Sequence, residues 1–71
     1  MLKLAERLHM LRKERGLTQE EAGKEMEISI NSYRRYEKNQ REPTAPTLVQ
    51  MADFYGVSVD YLLGRSDVRT S

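Results

Sequence analysis

The sequence lacks the residues and runs on which several classes of protein depend. Its 71 residues include no cysteine, which excludes disulfides and thiolate metal sites and suits a reducing cytosol. No long apolar run is present, so no segment is predicted to span a membrane. Charges at Glu6 and Arg7 interrupt the N-terminal stretch and exclude a signal-peptide core there. We therefore expect one small cytoplasmic domain without a membrane partner.

Groups that support catalysis are also scarce. His9 is the only histidine, and at 100° per residue it lies about 140° from the leucine stripe of the first predicted helix, so we expect it to be solvated. Glu20 and Glu21 are adjacent on a helix and diverge by roughly 100°, so they do not form a carboxylate pair. No glycine-rich phosphate loop or metal-spaced cluster appears. The sequence predicts no enzyme, no metal, no cofactor and no small-molecule ligand.

The net charge of +1 conceals an alternation along the chain. Residues 1–17 carry five Lys/Arg against two Glu, and residues 29–42 carry four against two. Residues 18–28 between them carry four Glu against one Lys. Basic segments of this kind fit either a nucleic-acid surface or an ordinary solvated one. Charge alone leaves both interpretations open.

Apolar spacing and capping residues predict five helices and hence an all-α fold. Leu4, Leu8 and Leu11 form the stripe of a first helix that ends at Gly16. The second predicted helix begins after Thr18 and ends near Met26, and the third begins after Ser29 and ends near Lys38. The fourth begins between Thr44 and Pro46 and ends at Gly56, and the fifth begins after Ser58 and ends near Leu63. Thr18 and Glu21 also have the spacing of a capping box. These five helices cover residues 1–64, and residues 65–71 are predicted to be a flexible tail.

The second and third predicted helices are short and close together, as in a helix-turn-helix motif. On the third helix, Tyr33 and Tyr36 fall on one face. The opposite face holds an amide and three cations, the groups that base edges and phosphates select: Asn31, Arg34, Arg35 and Lys38. By residue type we predict that Arg34 and Arg35 contact bases and that Lys38 contacts phosphate. A merely solvated face on an amphipathic helix is the alternative.

Helix N-termini and one loop supply further candidate phosphate contacts. Gln19 and Ser29 lie at helix N-termini, where free backbone amides and the helix dipole favour an anion. Asn39, Gln40 and Arg41 follow the third helix and could contact the DNA backbone. An ordinary first-turn glutamine and a plain polar loop fit these residues equally well.

Two charges fall beside the apolar faces of their helices. Arg12 lies near the leucine stripe, and Glu37 lies on the tyrosine side of the third helix. Because an isolated charge near a core is costly, we predict that Arg12 and Glu37 pair with one another as a structural contact, not a catalytic one.

These features recur together in one known family. The sequence resembles the Cro/phage-repressor (XRE-type) helix-turn-helix family over about residues 4–64, through the runs Leu17-Thr18-Gln19-Glu20-Glu21, Ile28-Ser29, Tyr36-Glu37-Lys38-Asn39, Arg41-Glu42-Pro43-Thr44, Leu48, Met51-Ala52 and Tyr55-Gly56-Val57-Ser58-Val59-Asp60-Tyr61-Leu62-Leu63-Gly64. The resemblance implies a five-helix repressor-like domain. It also implies sequence-specific binding of double-stranded DNA by a transcriptional regulator, a repressor acting as a homodimer on a near-palindromic operator.

The resemblance also assigns roles to individual residues. It implies that Ile30, Asn31 and Arg35 hold base-contacting positions and that Gln19 meets phosphate at the start of the second helix. Asn39 and Arg41 match positions that touch the DNA backbone, and Arg12 and Glu37 match the family's buried ion pair. A protein-interaction module, such as an antitoxin that binds a toxin, is the alternative. That alternative would use the acidic second helix or the apolar residues of the last helix.

Several positions depart from the family pattern, among them Ala22 and Gly23, which stand where leucine and alanine are common. Glu27 replaces the usual glycine of the turn, where a left-handed backbone would cost a non-glycine residue roughly 1 kcal/mol. Gly23, on the second helix, would permit close approach of the third. Tyr33 replaces an aliphatic residue, so its hydroxyl must reach a partner or solvent.

Overall fold

All five predicted helices are present in the computed structural model, which describes residues 2–70. They are α1 Leu2–Glu14, α2 Gln19–Glu25, α3 Ile30–Glu37, α4 Ala45–Tyr55 and α5 Val59–Leu63. No strand occurs within residues 2–70. The all-α, five-helix prediction is therefore confirmed, with each helix ending within two residues of its predicted limit. Across the same residues, no helix has the length and apolar character needed to cross a bilayer.

Capping side chains fix where four of the helices begin. Each of the caps Thr18, Ser29, Thr44 and Ser58 accepts a hydrogen bond from the backbone N–H three residues further on. At Thr18 the capping box is complete, because the Glu21 carboxylate accepts from the Thr18 N–H at 2.9 Å. These bonds satisfy amides that the first helical turn would otherwise leave without partners.

The core lies where α1 meets α3 and α5, with α2 and α4 closing the remaining sides. Leu4 and Leu8 from α1 are almost fully buried, as are Met51 from α4 and Leu62 from α5. The side-chain amide of Gln50 donates to the Met26 carbonyl and so ties α4 to the C-terminal end of α2. The packed helices thus hold α2 and α3 against the rest of the domain.

The turn between α2 and α3 depends on the two unusual residues that the sequence singles out. Glu27 has a φ of 58°, so this position does have the left-handed backbone that is costly for a residue other than glycine. Gly23 lies against the turn, and a Cβ atom placed on it would be only 2.9 Å from the Ile28 carbonyl oxygen. The Ile28 N–H donates to the Gly23 carbonyl at 2.8 Å. A side chain at position 23 would therefore force the turn away from α2.

The segment after α5, which the sequence predicts to be a flexible tail, makes specific contacts with the helices. The buried guanidinium of Arg7 donates to the carbonyl oxygens of Tyr61 and Ser66, and to the Asp67 carboxylate at 2.8 Å. Arg69 pairs with Glu14 at 2.6 Å. Residues 65–70 are thus held against α1 and α5, because two arginines remote in sequence supply bonds that local composition does not reveal. Ser71 lies outside the described residues.

Candidate nucleic-acid interface

One side of α3 is polar and faces outward, while the other side is buried. Tyr33 and Tyr36 are 0% and 6% exposed, and they anchor the helix in the core. The opposite side holds four exposed side chains, which we call the polar face of α3: Asn31, Arg34, Arg35 and Lys38. The helical period separates the two sides as the sequence predicts.

The cations of the polar face have no acidic partner. Within residues 2–70, no ion pair involves Arg34, Arg35 or Lys38. By contrast, Arg7, Arg12 and Arg69 each bond a carboxylate. The polar face therefore presents three uncompensated positive charges and an amide, a surface suited to an anionic partner.

The remaining candidate contact residues lie at both ends of α3. Ile30 begins the helix and is half-buried, and Ser29 before it is exposed while its hydroxyl oxygen accepts from the Ser32 N–H. After α3, Asn39 has a φ of 58° and turns the chain back. Arg41 reaches the Ser32 hydroxyl at 3.2 Å. Asn39, Gln40 and Arg41 are all exposed, so the structure brings the loop alongside α3.

Gln19 is engaged within the protein. It is the first residue of α2, and its side-chain amide donates to Glu37 Oε1 at 3.1 Å. The sequence places Gln19 at a helix N-terminus but does not indicate this bond, because Glu37 lies on a different helix. Its predicted contact with phosphate would require the amide to leave Glu37.

The structure brings Arg12 and Glu37 together. Arg12 Nε lies 2.8 Å from Glu37 Oε2, and the two side chains are 8% and 3% exposed. A second guanidinium nitrogen of Arg12 donates to Glu37 Oε1 at 3.1 Å, and a third to the Leu17 carbonyl at 2.8 Å. The bidentate pair thus joins α1 to the end of α3, where it fixes the orientation of the polar face.

The electrostatics of Glu37 follow from these bonds. Burial alone would raise the pKa of Glu37, but hydrogen bonds from Arg12, Tyr33 and Gln19 outweigh it and hold the pKa below its usual value. The pKa of Arg12 is raised, chiefly by its hydrogen bond to Glu37. Both groups therefore stay ionised over the ordinary pH range.

Tyr33 satisfies its hydroxyl inside the core. The Tyr33 hydroxyl lies 2.6 Å from the Tyr55 hydroxyl. Burial, followed by this hydrogen bond, raises the pKa of Tyr33 well above its ordinary value. The expected partner of Tyr33 is thus a second tyrosine from α4, which no local pattern in the sequence identifies.

With this geometry established, comparison with known proteins identifies the family. A family model described as helix-turn-helix matches residues 8–62. The chain belongs to the Cro/phage-repressor (XRE-type) helix-turn-helix family. The matched stretch contains α2, the turn and α3, as well as the ion pair between Arg12 and Glu37. The family resemblance found in the sequence is thereby confirmed.

Several curated proteins of this helix-turn-helix family are similar to the chain. The transcriptional regulator ImmR of Bacillus subtilis is 39% identical over 67 residues, covering 94% of this chain and 53% of ImmR. The cryptic phage CTXphi transcriptional repressor RstR of Vibrio cholerae is 41% identical over 64 residues, covering 90% of this chain and 57% of RstR. The chain therefore spans about half the length of these relatives.

Two residues of α1 make contacts that the sequence patterns considered above do not predict. His9 is 54% exposed as expected, yet its Nδ1 lies 3.3 Å from Glu37 Oε1. Its position three residues before Arg12 on one helix face could have placed it beside the ion pair. Arg7 falls about 60° from Leu4 on the helical projection, as near the leucine stripe as Arg12, so the same argument would have predicted its burial.

The apolar residues that a protein-interaction module would use are not exposed on α5. Tyr61 and Leu62 are buried, and Val59 and Leu63 are half-buried. An exposed apolar patch is what that alternative requires.

Proposed function

We propose that this chain is the double-stranded DNA-binding domain of a transcriptional regulator that inserts α3 into the major groove. The single observation that supports this most strongly is the exposed, uncompensated polar face of α3, set on a helix whose other side is anchored by two buried tyrosines. A major groove admits one α-helix, and its base edges offer acceptors and donors that match arginine and asparagine side chains.

Individual residues then have two kinds of role. Base contacts are proposed for one group on α3: Ile30, Asn31, Arg34 and Arg35. Phosphate contacts are proposed for the helix N-termini, the end of α3 and the following loop: Gln19, Ser29, Lys38, Asn39, Gln40 and Arg41. Phosphate contacts position the domain on the duplex, whereas base contacts give it sequence preference.

We further propose that the regulator is a repressor that acts as a homodimer on a near-palindromic operator. Two domains would place their α3 helices about 34 Å apart, one helical turn of DNA. The printed name of RstR as a phage repressor and its similarity to this chain support repression. A protein that sediments as a monomer even when bound to its operator would contradict the paired arrangement.

A selection from randomised duplex DNA, followed by binding measurements, tests the assignment. Arg35→Ala should lower affinity for the selected duplex by about 5- to 150-fold and relax sequence preference at one base pair. Arg41→Ala should weaken selected and mixed-sequence duplexes alike and reduce the salt dependence of binding.

Arg65→Ala is the matched control, because Arg65 is an exposed arginine that follows α5 and lies outside the proposed contacts. It should leave both affinity and preference nearly unchanged. Failure of the wild-type chain to bind any duplex at low salt would refute the function. Equal effects of Arg35→Ala and Arg41→Ala on all sequences would refute the division of roles.

A further inference from the structure

The loop after α3 is held by two backbone hydrogen bonds to the end of that helix. The Gln40 N–H donates to the Arg35 carbonyl at 2.9 Å, and the Asn39 N–H donates at 3.4 Å to the carbonyl of Tyr36. Together with the left-handed backbone of Asn39, these bonds form a Schellman motif, which ends a helix and fixes the direction of the chain after it. Arg41 therefore leaves the loop alongside α3.

The side chain of Arg41 runs back along α3 to the first turns of the helix. Arg41 Nη1 lies 3.2 Å from the hydroxyl oxygen of Ser32, a half-buried residue nine positions earlier in the chain. Ser32 does not cap α3, since its N–H donates to the hydroxyl oxygen of Ser29, which does. The Ser32 hydroxyl is therefore available to accept a hydrogen bond from Arg41.

The partner of Arg41 is neutral, which preserves the charge of the guanidinium. Among residues 2–70, neither Arg41 nor the adjacent Glu42 forms an ion pair. A guanidinium has several N–H donors, so a single bond to a hydroxyl leaves most of them free. A carboxylate partner would instead cancel the charge and compete with an anionic ligand. Ser32 thus restrains Arg41 and leaves it able to bind an anion.

This restraint affects binding because an arginine side chain loses rotamer freedom when it contacts a ligand. Part of that loss has already occurred in a side chain that is held before the ligand arrives. Ser32 lies three positions before Arg35 and is its neighbour on the helix surface. The guanidinium of Arg41 is therefore held close to a proposed base contact, where phosphates border the groove.

We propose that Ser32 is a positioning residue that holds the guanidinium of Arg41 in place for a DNA phosphate. The inference rests on the proposed function, which assigns Arg41 to a phosphate. Because Ser32 acts through Arg41, its contribution to affinity must disappear when Arg41 is replaced. It must also be the same for all sequences, since phosphate contacts carry no base information.

The restraint can be tested without DNA through ¹⁵N relaxation of the arginine Nε–H groups, which reports side-chain motion on the picosecond-to-nanosecond timescale. Arg41 should be more ordered than Arg65, an exposed arginine on the far side of the sequence from α3. Ser32→Ala should reduce the order of Arg41 to that of Arg65, whereas Ser32→Thr, which keeps a hydroxyl, should retain it. Equal order of Arg41 in wild type and Ser32→Ala would overturn the positioning.

The effect on binding is measured with a fluorescein-labelled duplex of mixed sequence and a double-mutant cycle. Ser32→Ala should lower affinity about two- to tenfold, the loss expected when one flexible side chain must be ordered on binding. The salt dependence of binding should stay unchanged, because no charge is removed, whereas Arg41→Ala should reduce it by about one ion. Ser32→Thr should bind as wild type does.

The combination of both substitutions decides between positioning and a direct role of Ser32. In an Arg41→Ala background, Ser32→Ala should have no further effect on affinity. The same loss from Ser32→Ala in both backgrounds would overturn the proposal, since Ser32 would then act independently of Arg41. Absence of any duplex binding by the wild-type chain would refute the proposed function, whereas the relaxation measurement decides the restraint separately.

Discussion

Replacing Glu37 with glutamine should test how strongly the buried ion pair stabilises the domain. The substitution preserves size and shape, so it creates no cavity. It removes the negative charge to which Arg12 donates at 2.8 and 3.1 Å. The Arg12 guanidinium, 8% exposed, would then lie in the protein without a counter-charge. Such uncompensated burial is the reason why breaking a buried pair is costly.

The magnitude follows from what Arg12 keeps. Loss of one partner from a buried pair costs about 3–5 kcal/mol. Arg12 retains its 2.8 Å bond to the Leu17 carbonyl, so we expect the lower end, about 3 kcal/mol. A chain of 71 residues has a free energy of unfolding of about 4–11 kcal/mol in total. Glu37→Gln should therefore remove a large fraction of the stability.

Guanidinium chloride unfolding followed by far-ultraviolet circular dichroism measures the effect. With a slope of about 2 kcal/mol per M, the midpoint should fall by about 1.5 M. The double variant Arg12→Met/Glu37→Gln should lose less stability than the sum of the single variants, because replacing both residues leaves no buried charge without a partner. Arg35→Met, an exposed α3 arginine without a partner, should change stability by at most about 0.5 kcal/mol. A loss below about 1 kcal/mol for Glu37→Gln, or strict additivity, would refute the reasoning.

Three further predictions concern the same core. The pKa of Glu37 is lowered in the folded state. The ion pair therefore contributes its full stabilisation at pH values above the ordinary pKa of 4.5, and this stabilisation is lost as the pH falls through the lower pKa of the folded protein. The stability gap between wild type and Glu37→Gln should therefore narrow in acid; a constant gap from pH 7 to 3 would contradict this. Gly23→Ala should destabilise by about 1–3 kcal/mol despite the better helix propensity of alanine, since the new Cβ would lie 2.9 Å from the Ile28 carbonyl oxygen; a rise in melting temperature would show that the turn can move. Tyr33→Phe should cost about 1–3 kcal/mol by leaving the buried Tyr55 hydroxyl without its partner, and unchanged thermal unfolding would show that water replaces the bond.

Local signals in the sequence account for the helices and for the side of α3 that faces outward. Ser29 and Thr44 identify helix starts because an N-cap bond spans only three residues, all visible in one stretch of sequence. Tyr33 and Arg35 fall on opposite sides of α3 for the same reason, since the helical period is a local property. These features need no knowledge of how the helices pack.

Contacts between helices could be predicted only where burial of a charge required a partner. Arg12 and Glu37 could be paired across 25 positions because both charges lie beside apolar faces. Arg7 lies equally near the leucine stripe, but its partners are backbone carbonyls and an exposed carboxylate after α5, which no pattern in the sequence identifies. Gln19 and His9 are polar, and neither is fully buried, so nothing in their own stretches of sequence demands the contacts they make with Glu37. Their placement depends on the packing of α1 and α2 against α3, which only the assembled structure provides.

The central claim is that the polar face of α3 contacts double-stranded DNA. Amide and side-chain NMR shifts of the ¹⁵N-labelled chain, recorded while a selected duplex is added, test it most directly. We expect the largest changes at Asn31, Arg34, Arg35 and Lys38, with smaller changes at Gln19 and Arg41. Changes confined to the acidic surface of α2 or to α5, with α3 unaffected, would contradict it.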